Sequence, residues 1–275
     1  MRNKSQRPTA DQKGAEPVFG SAPKAPGPGV REVTSPSVPY VTAAQMSEVD
    51  RRAIGRYGIR LIQMMELAGR NLAEQTREMQ GGSVVGREIV VLCGVGNNGG
   101  GGMVSARLLH GWGARVRVVL VGTEHKLKPV PKRQWNILKR LGLTVGARAH
   151  LAQVPLDFLI DAIFGYGFHG RPRPVAARWI GWTNAQDGPI LALDVPSGLD
   201  ATTGKPGRLC IRATATLSLA LPKTGLRVPQ AVPYVGKVYL ADIGIPVEVY
   251  RDMGMEVSSP FERGPIVRLS ESWER

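Results

Sequence analysis

The feature of this sequence that most restricts its fold is an apolar run that leads directly into a glycine-rich stretch. Residues 89–92 read Ile-Val-Val-Leu, which is typical of a strand covered on both faces. Residues 94–102 follow Cys93 and contain six glycines. A strand that ends in a tight glycine turn and continues into a helix is the start of a β-α-β unit. This run therefore predicts an α/β protein.

Strands and helices alternate along the rest of the chain. Besides the strand that ends near Leu92, we predict strands over 115–121, 156–160, 190–193, 214–219 and 238–240. We predict helices over 43–56, 60–79, 103–112, 133–141 and 175–184. This alternation predicts an α/β fold with a mostly parallel central sheet that has helices on both faces.

Two local patterns define the first two helices. Thr42 and Gln45 have the spacing of a capping box, so the first helix should begin there. The second helix is expected to bury one face in the core. That face consists of Met64, Met65, Leu67, Ala68 and Leu72.

Composition divides the chain into three parts. Residues 1–40 are rich in Pro, Gly, Ser, Ala and Lys and cannot bury enough apolar surface to fold, so we expect a disordered basic tail. Residues 41–255 form the expected folded domain. Residues 256–275 are expected to be a polar, loosely attached C-terminal tail.

The net charge of +14 indicates an anionic partner or substrate. There is no nucleic-acid motif and no block of five basic residues, so a specific nucleic-acid partner is not expected. No apolar stretch approaches the ~20 residues of a membrane span, and a membrane partner is not expected either. Cys93 and Cys210 cannot form a disulfide scaffold, so we expect a reducing, cytoplasmic location.

Three polar or glycine-rich segments follow predicted strands, at residues 93–102, 161–170 and 194–200. In an open parallel sheet, ligands bind beyond the carboxyl ends of the strands. We therefore expect the three segments to converge on one site.

The first segment contains a literal G-x-G-x-x-G at Gly94, Gly96 and Gly99. Between a strand and a helix, this pattern is typical of a dinucleotide site, where backbone N–H groups approach a pyrophosphate. It is also compatible with a tight turn that binds nothing. Asn97 and Asn98 would suit a hydrogen-bonded ligand or a cation.

The other two segments each begin with a carboxylate. Asp161 follows an apolar strand and is a ligand-binding candidate or a cap, while His169 is a candidate base or an ordinary surface group. Asp194 lies at the end of another strand and Ser197 follows it closely. Because no G-x-S-x-G elbow is present, the serine hydroxyl suits a hard cation or a substrate oxygen better than it suits a nucleophile. Asp200 is expected to cap a turn.

These segments, in this order, resemble the NAD(P)H-hydrate epimerase family, the YjeF N-terminal domain. The resemblance runs from about Val41 to Val247. Its motifs are Thr-Ala-Ala-Gln-Met at 42–46, Asp-Arg-Arg-Ala-Ile at 50–54, Met-Glu-Leu-Ala-Gly-Arg at 65–70, Asn-Asn-Gly-Gly at 97–100, Asp-Ala-Ile-Phe-Gly at 161–165, Asp-Val-Pro-Ser-Gly at 194–198, Pro-Lys-Thr-Gly-Leu at 222–226 and Asp-Ile-Gly-Ile-Pro at 242–246. It implies a Rossmann-like three-layer sandwich.

The resemblance also implies an activity. Members of this family interconvert the R and S forms of hydrated NADH and NADPH, and a dehydratase then restores the cofactor. The chain continues for only about 30 residues after Pro246, so we expect the dehydratase to be a separate chain. A homodimer is compatible with the family.

By the same resemblance, K⁺ would be bound by Asn98, Asp161 and Ser197, and Asp194 would be the catalytic acid or base. Lys223 is a weaker second candidate, and we favour a surface lysine at that position. The implied substrate-binding residues are Asn97, Asn98, Gly99, Gly100, Gly101, Gly165, Tyr166, Gly167, Phe168, His169, Gly170, Arg171 and Asp194.

Two positions depart from the family pattern. Gly101 stands where members usually carry Asp, and Leu67 stands where they usually carry Asn. These departures leave open a weakly active or inactive binding or scaffold module. An ordinary nicotinamide oxidoreductase is a third possibility, but it requires an acidic residue at the end of the second strand, and Glu124 fits that role poorly.

Overall fold

A computed structural model describes Met1, the backbone of residues 31–34, and residues 38–145 and 156–270. Most of the tail expected at residues 1–40 lies outside the described residues. Two parts of that stretch do not fit a disordered tail. Residues Arg31–Thr34 form a strand, β1, and Val38 is buried.

Within these described ranges, one sheet of eight strands forms the centre of the molecule. The strands are β1, β2 Glu88–Cys93, β3 Arg115–Leu120, β4 Phe158–Ala162, β5 Ile190–Leu193, β6 Ala215–Leu219, β7 Lys237–Ala241 and β8 Ile266–Ser270. The helices are α1 Ala43–Gly55, α2 Leu61–Met79, α3 Asn97–Gly111, α4 Pro129–Arg140, α5 Pro174–Asn184, α6 Val232–Val235 and α7 Val247–Arg251.

The strand order is β1-β8-β7-β6-β5-β4-β2-β3. All neighbouring pairs are parallel except β7 and β8. After β2 the chain first forms β3 on one side and then returns to form β4 on the other. A crevice opens beyond the carboxyl ends of the strands at such a change of direction. The topology therefore puts the ligand site between the ends of β2 and β4.

Alternate residues of β2 show that the sheet is covered on both faces. Ile89 and Val91 pack in a core with Met103 of α3, whereas Val90 and Leu92 pack in a second core with Ile180 of α5. This arrangement confirms the predicted α/β sandwich with a mostly parallel sheet. None of the helices within the described residues is long and apolar enough to span a membrane.

The predicted start of α3 at residue 103 is six residues too late, because the helix already begins at Asn97. The glycines, which we assigned to a turn, form its first turns. Packing explains this: a Cβ at Gly102 would lie 2.5 Å from the Cβ of Ala162 in β4. Close contact with the sheet thus outweighs the low helix propensity of glycine.

Other local predictions are confirmed in full or in part. The capping box of Thr42 and Gln45 is confirmed. The predicted buried face of α2 is confirmed except at Leu67, which is 43% exposed. Asp161 lies within β4, one residue before its end, and is buried.

The polar tail predicted from residue 256 is wrong for residues 266–270. This stretch is β8, which pairs with both β7 and β1. Val267 and Leu269 are buried on the sheet and supply the apolar contact that anchors it. Residues 271–275 lie outside the described residues.

Candidate active site

A cavity of about 960 Å³ opens at the carboxyl ends of β2 to β6, where the topology predicts a ligand. Ten of the residues expected to bind substrate line it: Asn97, Asn98, Gly101, Gly165, Tyr166, Gly167, Phe168, His169, Arg171 and Asp194. Gly99, Gly100 and Gly170 are not part of the lining. The cavity therefore collects residues from all three predicted segments.

Asn98, in the first turn of α3, joins the three segments. Its Nδ2 donates to the carbonyl of Phe164 at 2.8 Å and to that of Leu193 at 3.2 Å. A Cβ on Gly165 would lie 3.2 Å from Asn98 Oδ1 and 3.1 Å from Asp194 Oδ2. Glycine at 165 thus leaves room for two oxygen acceptors to approach the same point.

Asp161 and Ser197 form a buried network beneath the cavity. Ser197 donates its hydroxyl to Asp161 Oδ1 at 2.7 Å and its backbone N–H to Asp161 Oδ2 at 2.8 Å. The backbone N–H of Phe164 donates to Ser197 Oγ at 2.9 Å. Burial raises the pKa of Asp161 to about 6, although the hydrogen bonds from Ser197 act in the opposite direction. Within the described ranges, Asp161 has no ion-pair partner.

Asp194 lies directly after β5 in a left-handed backbone conformation, with φ of 70°. A non-glycine residue in this region is strained and is often found at functional sites. Its Oδ2 accepts the backbone N–H of Tyr166 at 2.8 Å, and its Oδ1 lies 2.5 Å from Lys223 Nζ. The carboxylate is nearly fully buried at the cavity wall.

Lys223, which we expected at the surface, is completely buried. Its Nζ donates to the carbonyl of Leu219 at 2.8 Å in addition to contacting Asp194. The sequence offered one clue, since Lys223 follows the fifth predicted strand within a turn that also contains Pro222 and Gly225. A lysine in a strand-end turn of a parallel sheet is a site candidate by the rule that identified Asp194.

Asp50 is a cavity residue that sequence reasoning missed. It lies on α1, lines the cavity, and accepts the hydroxyl of Tyr166 at 2.6 Å. Burial raises the pKa of Asp50 above its ordinary value. Helical periodicity alone could not distinguish it from the exposed charges beside it, such as Arg51.

His169 and Asp200 lie at the rim. His169 is 65% exposed and its Nδ1 lies 3.6 Å from Asp200 Oδ2. Asp200 Oδ1 accepts the backbone N–H groups of Thr202 and Thr203, so its predicted role as a turn cap is confirmed. His169 is therefore more exposed than Asp194 and has fewer fixed contacts.

Among the residues that the structure describes, no three His, Cys, Asp or Glu side chains cluster as ligands for a metal ion. A cation site with fewer of these side chains would add amide, hydroxyl and backbone oxygens as ligands. Hard monovalent cations accept such donors.

Comparison with known proteins identifies the family. The family model of the YjeF-related protein N-terminus matches residues 61–225. The NAD(P)H-hydrate epimerase of Dehalogenimonas lykanthroporepellens is 40% identical over 233 residues, which are 84% of this chain and 93% of that protein. The bifunctional NAD(P)H-hydrate repair enzyme Nnr of Moorella thermoacetica is 39% identical over 75% of this chain, which spans only 40% of that protein.

A solved structure agrees on the fold. The crystal structure of the yeast protein YNL200c superposes with a TM-score of 0.72 at 24% identity and covers 84% of this chain and 100% of that one. The sequence matches and the site motifs point to the same family. The chain therefore belongs to the YjeF N-terminal family, which confirms the resemblance inferred from its motifs.

Proposed function

We propose that this protein interconverts the R and S epimers of hydrated NADH and NADPH. The observation that carries the proposal is the buried pair of Asp194 and Lys223 at the wall of a dinucleotide-sized cavity. A binding module has no physical need for a buried, strained carboxylate beside a lysine. The relatives named as NAD(P)H-hydrate epimerases support the same assignment.

The reaction inverts the ring carbon that carries the hydroxyl group. Inversion requires that one bond at this carbon breaks and re-forms on the opposite face, either through ring opening or through loss and return of water. Both routes move a proton to or from an oxygen. Asp194 is suited to accept and return that proton, because its carboxylate faces the cavity. Lys223 stabilises the carboxylate of Asp194. Because it also lines the cavity, Lys223 is a second group that can donate a proton to the substrate.

Binding of the rest of the substrate would use the start of α3. The N–H groups of the first turn, after Gly96, have no partner within the helix and point toward the end of β2. Such a terminus favours a pyrophosphate. Arg171, on the rim, adds positive charge on the β4 side of the cavity.

We further propose that K⁺ is held by Asn98, Asp161 and Ser197. All three offer oxygen atoms, and they are linked through the backbone of Phe164. The buried carboxylate of Asp161 lacks a cationic partner within the described ranges, so a bound monovalent cation would balance its charge. Bound K⁺ would supply fixed positive charge beneath the substrate.

Interconversion of the two epimers is useful in cofactor repair when the dehydratase that follows accepts only one of them. Bifunctional relatives such as the Moorella enzyme are much longer than this chain. We propose that a dehydratase consumes the epimer that this protein supplies. A homodimer and a cytoplasmic location also remain proposals.

A coupled assay tests the activity. Purified protein is mixed with the R epimer of hydrated NADH, K⁺ and a dehydratase specific for the S epimer. Faster consumption of R than the spontaneous rate supports an epimerase. The Asp194→Asn variant should lose this acceleration, whereas Asp187→Asn, at an exposed aspartate after α5, should keep it.

The same experiment tests the alternative of a scaffold module. Tight binding of the hydrate without any acceleration, by folded protein in K⁺, would favour that alternative. Of the two departures that motivated it, Leu67 lies outside the cavity lining and is 43% exposed, so it removes no polar group from the cavity wall. Gly101 does line the cavity and remains the relevant departure.

A further inference from the structure

The loop after β3 forms the end of the cavity farthest from the proposed reaction centre. Thr123, Lys126 and Lys128 of this loop line the cavity, as does Asp194 after β5. Three strand spacings separate β3 from β5, which is about 14 Å. The cavity is therefore long enough for an extended ligand with one end at Asp194 and the other at the two lysines.

The two lysines bring uncompensated positive charge to this end. Both side chains are exposed to the cavity, and neither forms an ion pair within the described ranges. Lys128 directly precedes α4, whose first turn contains no acidic residue. A cation is disfavoured at a helix N-terminus, so this arrangement indicates that the local charge serves an anion.

The acidic residue of the loop faces elsewhere. Glu124 pairs with Lys139 of α4 and does not line the cavity. In Rossmann-type sites, a carboxylate near the end of the second strand accepts the 2′-hydroxyl of the adenosine ribose, whereas a nearby cation accommodates a 2′-phosphate. In this protein the carboxylate of Glu124 lies outside the cavity, and the charged side chains at this end of the cavity are those of Lys126 and Lys128.

The orientation of the substrate follows from the proposed function, on which this step rests. The ring that reacts lies beside Asp194, and the pyrophosphate lies at the N-terminus of α3 after β2. The adenosine ribose then reaches the β3 loop at the edge of the sheet. We infer that Lys126 and Lys128 bind the 2′-phosphate of hydrated NADPH, so that this protein prefers hydrated NADPH to hydrated NADH.

Kinetics with the two hydrates test the inference. The wild-type KM for hydrated NADPH should be lower than that for hydrated NADH by about tenfold, the effect of a single charge-assisted hydrogen bond at the weak end of the usual range. The double variant Lys126→Ser/Lys128→Ser should raise the KM for hydrated NADPH to the value for hydrated NADH and leave kcat and the NADH value unchanged. Lys132→Ser, on the exposed surface of α4 outside the cavity, is the matched control and should change neither KM.

Binding of the adenosine half separates this inference from the proposed activity. Calorimetry with adenosine 2′,5′-bisphosphate and with adenosine 5′-monophosphate requires no turnover. Tighter binding of the bisphosphate, lost in the double variant but not in Lys132→Ser, supports the phosphate site even if the protein lacks epimerase activity. Equal binding of the two nucleotides by the wild type would overturn the inference, even if the epimerase is active.

Discussion

Lys223 Nζ lies 2.5 Å from Asp194 Oδ1, and the two side chains are 0% and 3% exposed. The pair joins the turns that follow β5 and β6, each of which contains a non-glycine residue at positive φ, Asp194 and Ala220. Water reaches almost none of either side chain. Each member of the pair is therefore needed to balance the other, as well as for any chemistry at the cavity wall.

Removing one member of this pair should destabilise the fold. Lys223→Met leaves the Asp194 carboxylate buried without its cation, and the free energy of unfolding should fall by about 3–5 kcal/mol. Asp194→Asn should also reduce stability, and it should slow epimerisation on the order of a hundredfold or more. Urea unfolding and the coupled assay measure the two effects.

The double variant Asp194→Asn/Lys223→Met separates stability from catalysis. Because it leaves no uncompensated charge, it should be more stable than Lys223→Met alone and still inactive. Full activity in Asp194→Asn, in a folded protein, would remove Asp194 from the mechanism.

Alanine at two adjacent glycines of α3 should affect stability to different extents. At Gly101 the new Cβ would lie 2.9 Å from Leu193 Cδ2, the mobile end of a side chain, so a small rotation and the higher helix propensity of alanine should leave stability within about 1 kcal/mol of wild type. At Gly102 the Cβ would lie 2.5 Å from the Cβ of Ala162, which cannot move away without the strand. Gly102→Ala should therefore lower the free energy of unfolding by about 1–3 kcal/mol in urea titrations. Equal effects at the two positions would contradict this packing.

The same glycines show where sequence reasoning succeeded and where it failed. The alternation of apolar runs with helical segments, and the polar or glycine-rich segments after three strands, were sufficient to predict the sheet and the edge that holds the site. The helical state of residues 97–102 was not predictable from propensity, because it depends on how closely α3 approaches Ala162 of β4 and Met65 of α2. These contacts are between residues distant in sequence.

Burial of polar residues was the other source of error. Lys223 is an ordinary surface residue by type, and only the approach of the β5 and β6 turns encloses it. Asp50 was indistinguishable from its charged neighbours until the hydroxyl of Tyr166, 116 residues away, approached it. Likewise, β8 lies in a polar stretch whose two buried residues, Val267 and Leu269, are too few to reveal a strand without its partner β7.

Potassium should stabilise the protein through Asp161. If K⁺ binds beside the buried carboxylate, Tm in KCl should exceed Tm in LiCl of equal ionic strength by about 2–4 °C for each kcal/mol of binding energy. Asp161→Asn should abolish the difference between the salts, and Asp187→Asn should preserve it. Identical melting of the wild type in both salts would show that no selective K⁺ site exists here.

The stability contributed by Asp50 should depend on pH in a direction set by its burial. The pKa of Asp50 is raised in the folded protein, so the folded state binds this proton more tightly than the unfolded chain. Ionisation therefore destabilises the fold as the pH rises through the folded pKa. Asp50→Asn stays neutral and can still accept the hydroxyl of Tyr166. Its free energy of unfolding relative to wild type should therefore increase from about pH 4, near the ordinary pKa of an aspartate, to higher pH. Urea titrations across this range measure it, with Asp187→Asn as the control, and a relative stability that falls with rising pH would contradict the prediction.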